Sequence, residues 1–147
     1  MELFSKPFLN DAQKKAVVES IRLAELHTSG EIRIHIEASN GSLPLLDRAK
    51  EVFFEQKMHL TKERNGVLLY IAHEDKNIAI LGDRAINDKM GEGYWEEILN
   101  SLKSSFKTGE YEQGLVIAVR ELGEKLQRYF PGVHDGQNEL TNEISEA

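Results

Sequence analysis

Residues 65–83 decide the fold, and they read NGVLLYIAHEDKNIAILGD. Residues 67–72 form a continuous apolar run, which is typical of a central strand covered on both faces. Only residues 73–77 separate this run from a second one at residues 78–81. Because so short a connection favours a hairpin over a crossover, the second strand is predicted to return antiparallel and to end at Asp83.

Another strand is predicted upstream of the hairpin. Residues 31–37 read EIRIHIE and alternate strictly between polar side chains and isoleucine, which is the pattern of a strand with one apolar face. Residues 46–60 lie between this strand and the hairpin and carry apolar side chains at helical spacing. A strand–helix–strand unit implies parallel pairing through a right-handed crossover, so the sheet is predicted to be mixed.

The remaining apolar patterns have helical spacing. One helix is predicted over residues 10–27, and another is predicted to begin after Gly93 and to reach Phe106. A last helix is predicted over residues 111–129. Together these elements predict an α/β fold, a three-layer sandwich in which about four helices flank a central mixed β-sheet.

Length and composition limit the kinds of protein this chain can be. Its 147 residues are typical of one domain, which is expected over residues 1–132. Residues 133–147 are acidic, with few apolar side chains, and are expected to form a disordered tail. The net charge of −7 disfavours a nucleic-acid partner. The sequence has no cysteine, so any metal must bind through oxygen or imidazole.

The first residues do not have the pattern of an export signal. Residues 1–8 lack a basic segment followed by an apolar one. No window of the sequence approaches about eighteen continuous apolar residues, the length of a membrane-spanning helix. The chain is therefore expected to be cytoplasmic and not to insert into a membrane.

Three acidic residues are predicted to meet at one edge of the sheet. The antiparallel return brings Asp83 beside residues 65–66, and parallel pairing of the first strand would bring Glu31 to the same edge. Asp88 follows Asp83 closely and can join them. These carboxylates, with nearby backbone carbonyls, would form an oxygen-rich pocket that suits calcium or magnesium. The same residues also have a structural explanation, because acidic side chains are common at helix starts.

A second acidic group is predicted at the opposite edge, where the parallel strands end. It comprises Glu37, His73, Glu74 and Asp75. Ligands usually bind at this edge of an open α/β sheet, whereas an aspartate in a hairpin turn commonly forms local backbone hydrogen bonds. The sequence has no Gly-x-Ser-x-Gly elbow and nothing that suggests a Ser-His-Asp arrangement, so nucleophilic serine catalysis is not expected. It also has no phosphate loop and no helical histidine pair.

Five stretches of the sequence, taken in order, resemble the signature stretches of TPM domains. The first three are residues 28–33 (TSGEIR), 64–69 (RNGVLL) and 82–86 (GDRAI). The last two are residues 95–98 (WEEI) and 106–115 (FKTGEYEQGL). Their order and spacing, rather than any single stretch, carry the resemblance, which covers roughly residues 4–130.

This resemblance implies an α/β fold with a mixed sheet, in a family that includes thylakoid-lumen phosphatase-like, photosystem-repair and receptor-associated membrane proteins. It also implies acid-phosphatase-like activity or divalent-metal binding. Carried onto this sequence, the metal-side positions are Glu31 and Asp83, followed by Asp88, with Glu110 and Glu112 as weaker additions. Many members have a signal peptide or a membrane helix, whereas this sequence resembles a soluble, stand-alone member.

Three functional hypotheses follow. The leading one is a cytoplasmic TPM-domain module that binds calcium or magnesium through the acidic edge. The first alternative is a metal-dependent phosphomonoesterase, in which a bound ion polarises the phosphoryl group and an acidic side chain or activated water attacks. The second alternative is a module that binds another protein through its acidic helices, without metal. The sequence leaves the metal, any substrate and any partner open.

Overall fold

The computed structural model describes residues 8–91, 93–132 and 142–146. Within these residues the strands are β1 (Glu31–Glu37), β2 (Gly66–Ala72), β3 (Asn77–Gly82) and β4 (Ser145–Glu146). The α-helices of the same residues are α1 (Asp11–Ala24), α2 (Leu45–Glu55), α3 (Arg84–Met90), α4 (Glu96–Lys107) and α5 (Tyr111–Tyr129). A short 3-10 helix, Met58–Leu60, follows α2.

The described strands form one sheet in the order β3-β2-β1-β4. β1 and β2 are parallel, with Glu31 opposite Gly66. β2 and β3 are antiparallel, with Val67 opposite Gly82. The mixed sheet predicted from the hairpin is therefore confirmed, and α2 provides the crossover that parallel strands require.

Helices cover both faces of this sheet. Ile32, Ile34 and Ile36 of β1 lie in a core that also contains residues of α1, α4 and α5. Leu68 and Tyr70 of β2 lie in a second core with residues of α2. All of β2 is buried, which explains why its sequence is a continuous apolar run rather than an alternating one. The predicted three-layer sandwich is confirmed.

Two helices end earlier than predicted. α1 begins with a capping box, in which Asn10 and Gln13 exchange side-chain to backbone hydrogen bonds of 2.8 and 2.9 Å, and it ends at Ala24. α2 ends at Glu55, and Lys57 is then left-handed, with φ 58°, before the 3-10 helix. A left-handed residue cannot continue an α-helix, so residues 46–60 are not one helix.

An additional short helix precedes the predicted break at the glycines. Asp83 is the N-cap of α3, and Gly91 ends this helix in a left-handed conformation, with φ 74°. Gly93 is also left-handed, with φ 78°, before α4 begins. The predicted break is present, and α3 forms ahead of it because the Asp83 side chain accepts a hydrogen bond from its first turn.

The C-terminal end of the described chain joins the sheet. Ser145–Glu146 forms β4 and pairs in parallel with His35 and Ile36 of β1, which differs from the disordered tail expected for these residues. Glu146 also forms a salt bridge of 3.0 Å with Lys14 of α1. The rest of the predicted tail, residues 133–141 and 147, lies outside the described residues.

No helix of the described residues is long and apolar enough to cross a membrane.

Candidate acidic site at the sheet edge

The structure brings Glu31 and Asp83 to the same edge of the sheet. Glu31 is the first residue of β1 and lies opposite Gly66. Asp83 follows β3, and its backbone N–H donates to the carbonyl of Gly66 at 2.9 Å. The two acidic residues therefore flank Gly66, with their Cα atoms about two strand spacings, or roughly 10 Å, apart. Both are buried, with 3% and 5% of their surface exposed.

The Asp83 carboxylate is fully engaged within the protein. Arg64 donates from Nε to Oδ2 at 2.7 Å and from Nη2 to Oδ1 at 2.8 Å. The backbone N–H of Arg84 donates to the same Oδ1 at 2.7 Å. A cation bound by Asp83 would therefore compete with the guanidinium of Arg64 for this carboxylate. The structure gives Asp83 a role as the N-cap of α3 and as the partner of Arg64.

None of the other predicted positions is buried as this pair is. Asp88 lies on α3 and is exposed. Glu110 and Glu112 flank Tyr111 at the start of α5, and Tyr111 lies near Ala72, at the opposite end of β2. Among the described residues, no group of three or more histidine, aspartate or glutamate side chains is arranged to hold a metal ion.

Glu25 is an acidic residue of this edge that sequence reasoning missed. It is the C-cap of α1, and only 3% of its surface is exposed. The backbone N–H of Ile32 donates to Glu25 Oε2 at 2.7 Å. Since the N–H of the preceding Glu31 points towards β2, that of Ile32 points to the outer edge of β1, where Glu25 replaces a neighbouring strand. Glu25 Oε1 is buried and has no hydrogen-bond partner within the described part of the chain.

The surroundings of Glu25 favour the protonated form of its carboxyl. Burial raises the pKa of Glu25 to about 8, the hydrogen bond from Ile32 offsets part of this rise, and the charge of Glu31 adds to it. Near neutral pH the Glu25 carboxyl is therefore mostly protonated, and a bound cation would have to displace this proton. One sequence signal could have identified this residue, because an acidic side chain at a helix C-terminus opposes the helix dipole.

Replacing Glu25 with glutamine is expected to remove a loss of stability that the parent protein undergoes as the pH rises from 4.5 to about 8. The carboxyl ionises near pH 4.5 in the unfolded chain and near pH 8 in the folded one, so ionisation destabilises the fold as the pH rises between these values. Glutamine does not ionise and keeps an acceptor for the N–H of Ile32. Urea unfolding in the presence of a chelator should show E25Q gaining at least about 1 kcal/mol over the parent protein between pH 5 and pH 9. An equal difference at both pH values would contradict this titration.

A second cluster of buried polar side chains lies beneath α2, along the polar face of β1. Arg48 donates to the two carboxylate oxygens of Glu37 from Nε and Nη2, each at 2.8 Å. Tyr70 donates its hydroxyl to Glu37, and His35 Nε2 lies 3.1 Å from Glu37 Oε1. The hydrogen bonds, led by that from Arg48, lower the pKa of Glu37 to about 2. β4 extends the cluster, because His35 Nδ1 lies 2.8 Å from Ser145 Oγ.

The second acidic group predicted from the sequence is therefore divided among different roles. Glu37 is neutralised by Arg48 within the buried cluster. Asp75 accepts hydrogen bonds from Ser39 Oγ at 2.6 Å and from the backbone N–H of Asn40 at 3.0 Å. Glu74 is exposed. Asp75 thus ties the hairpin turn to the loop after β1, and these two contacts are long-range rather than the local backbone hydrogen bonds expected of an aspartate in a turn.

Comparisons with known proteins extend these observations. Residues 5–125 match the family model of the TPM domain. The chain is similar to the NMR structure of the BA42 protein from the psychrophilic bacterium Bizionia argentinensis, with 42% identity over 99% of this chain and 100% of that one, and a TM-score of 0.89. It shares its fold with the N-terminal domain of a P. gingivalis protein, with 19% identity over 84% and 79% of the two chains and a TM-score of 0.68. A search of curated proteins found no match.

Proposed function

We propose that this chain, which belongs to the TPM domain family, is a binding module for a divalent cation, calcium or magnesium. The proposed site is the edge of the sheet where β1 begins, and its first two ligands are Glu25 and Glu31. One observation carries the proposal: Glu25 Oε1 is buried without a hydrogen-bond partner among the described residues. The negative charge of Glu31 makes an ionised Glu25 carboxylate still less favourable unless a cation binds it.

The ligand chemistry of the pair suits a hard cation. Two carboxylates supply up to four oxygens, and backbone carbonyls or water would complete the six to eight that calcium takes. Magnesium sheds its water reluctantly, and Glu25 is almost wholly covered. We therefore expect calcium to bind more tightly than magnesium.

The sequence also predicts Asp83 and Asp88 as ligands, and variants of these two residues show whether they bind the ion as well. An ion at Asp83 would compete with Arg64, because both carboxylate oxygens already accept hydrogen bonds from it. Asp88 is exposed and would have to reach the ion from α3. The proposal therefore makes Glu25 and Glu31 the principal ligands, and D83N and D88N are the comparison variants.

Calcium titration of the chelator-treated protein, followed by amide NMR, tests the site. Saturable shifts are expected at Glu31 and Ile32, which adjoin the two carboxylates. E25Q and E31Q should each weaken binding about tenfold or more, because each removes a charged ligand. D88N should bind as the parent protein does. Unchanged spectra at millimolar calcium would refute cation binding. If D83N and D88N lose binding while E25Q and E31Q keep it, the ion is bound by Asp83 and Asp88 instead.

The same variants separate binding from catalysis. As a binding module, the protein should not hydrolyse a generic phosphate ester, with or without calcium. Turnover that disappears both with chelator and in E31Q would instead indicate the metal-dependent phosphomonoesterase. An interaction module without metal would show neither a calcium response nor turnover. The cytoplasmic location stays a prediction.

A further inference from the structure

A cavity of about 490 Å³ lies at the other end of the sheet from the acidic pair. Ile71 and Ala72 at the end of β2 and Ile78 at the start of β3 contribute to its lining. Since β1 and β2 are each seven residues long, this cavity is about 20 Å from Glu31. It lies where the parallel strands end, which is the usual ligand edge of an open α/β sheet. Its size is that of a small-molecule site.

Aromatic rings form one wall of the cavity. The rings of Phe8 and Tyr111 lie 4.5 Å apart, and Phe106 contacts both, at 5.4 and 5.2 Å between centroids. Phe8 also stacks on His73 at 5.1 Å. Tyr111 exposes 36% of its surface, so this wall remains open to a ligand ring. Such a surface favours a flat apolar group.

Three lysines, Lys76, Lys103 and Lys107, also line the cavity. All three are exposed, and Lys103 and Lys107 lie one turn apart on the same face of α4. None of them forms a salt bridge in the part of the chain that the structure describes. No acidic side chain is among the described residues that line the cavity. This is unusual in a chain with 25 acidic and 18 basic residues.

We propose that this cavity binds a small organic anion in which an aromatic ring carries a phosphate or carboxylate group. The ring would pack against Phe106 and Tyr111, and the anionic group would lie among the three ammonium groups. Burial of the ring and attraction of the charge act together, so neither a neutral aromatic molecule nor a simple inorganic anion should bind comparably. This site is independent of the acidic pair and of any cation bound there.

Amide NMR of the full chain tests this site with four probes. 2-Naphthoate and adenosine monophosphate carry the two kinds of anionic group, whereas 2-naphthalenemethanol and inorganic phosphate each lack one half of the ligand. We expect at least one of the first two to shift the signals of residues 73–78 and 103–107 with a Kd below about 1 mM, and the last two to bind at least about tenfold more weakly.

Charge-matched variants complete the test. Lys103→Gln combined with Lys107→Gln should weaken the aromatic anion about tenfold, because two of the three cations are removed. The control pair, Lys15→Gln with Lys50→Gln, changes the net charge equally but lies on α1 and α2. It should leave binding unchanged. The proposal is overturned if neither aromatic anion binds at millimolar concentration, if a half-ligand binds as tightly, or if both variant pairs weaken binding equally.

Discussion

Replacing Arg48 with methionine is expected to lower the free energy of unfolding by about 3–5 kcal/mol at neutral pH. The Glu37 side chain is 6% exposed and that of Arg48 is 17% exposed, so their ion pair is largely shielded from water. The substitution leaves a buried carboxylate with only the neutral hydroxyl of Tyr70 and the ring of His35 as partners. Urea unfolding of the variant and the parent protein at pH 7 measures the loss.

The pH dependence distinguishes this loss of charge pairing from a loss of packing. In the parent protein the pKa of Glu37 is about 2, below its ordinary value of 4.5. The stabilisation by its ionised form is therefore present above pH 4.5 and is lost as the pH falls towards 2. The difference between R48M and the parent protein should shrink at acidic pH. A difference that stays constant would assign the effect to packing of the Arg48 side chain.

A surface ion pair provides the matched control. Arg22 and Glu19 on α1 form a salt bridge of 2.6 Å, with side chains that are 53% and 55% exposed. Water already solvates both groups, so R22M should unfold at nearly the same urea concentration as the parent protein. A large loss in R22M would mean that removing an arginine destabilises this fold regardless of burial.

Replacing Asp83 with alanine is expected to cost about 2–4 kcal/mol, the combined effect of a lost helix cap and lost charge-assisted hydrogen bonds. Asp83 is buried, caps α3 and accepts two hydrogen bonds from Arg64. The resulting loss of stability can be measured by urea unfolding in the presence of a chelator. The exposed Asp88 on the same helix is the control, and D88A should change stability little.

The same variant also shows whether Asp83 contributes to cation binding. If its role is confined to Arg64 and α3, the cost of D83A should be equal in chelator and in saturating calcium. A larger cost in calcium would show that Asp83 binds the ion, since a ligand that binds the native state stabilises it. That result would extend the proposed site from Glu25 and Glu31 towards α3.

The sheet could be predicted because its information is local. The alternation over residues 31–37 and the apolar run at residues 67–72 each identify a strand without knowledge of the rest of the fold. The short connection after them then determines antiparallel return. Helix ends were less predictable, because α2 ends at a backbone conformation of Lys57 that its side chain does not favour. β4 was missed because two residues are too short for a periodic pattern.

The sequence could predict where the candidate site lies, but not the side-chain contacts within it. Strand order and register were sufficient to bring Glu31 and Asp83 to one edge, on either side of Gly66. They did not reveal that Arg64 occupies the carboxylate of Asp83, since Arg64 precedes β2 and its reach depends on how the loop folds. They also did not reveal Glu25, because the sequence around it is that of an ordinary helix end.

The sequence by itself determined the order of β1, β2 and β3 and of the longer helices, the mixed sheet and the edge to which Glu31 and Asp83 come. These follow from the spacing of apolar side chains and from connection lengths, which are properties of short segments. Only the tertiary structure decided which charges meet. Glu37 with Arg48, Asp83 with Arg64 and Glu25 with Glu31 each join different elements, and burial gives these contacts their energetic weight.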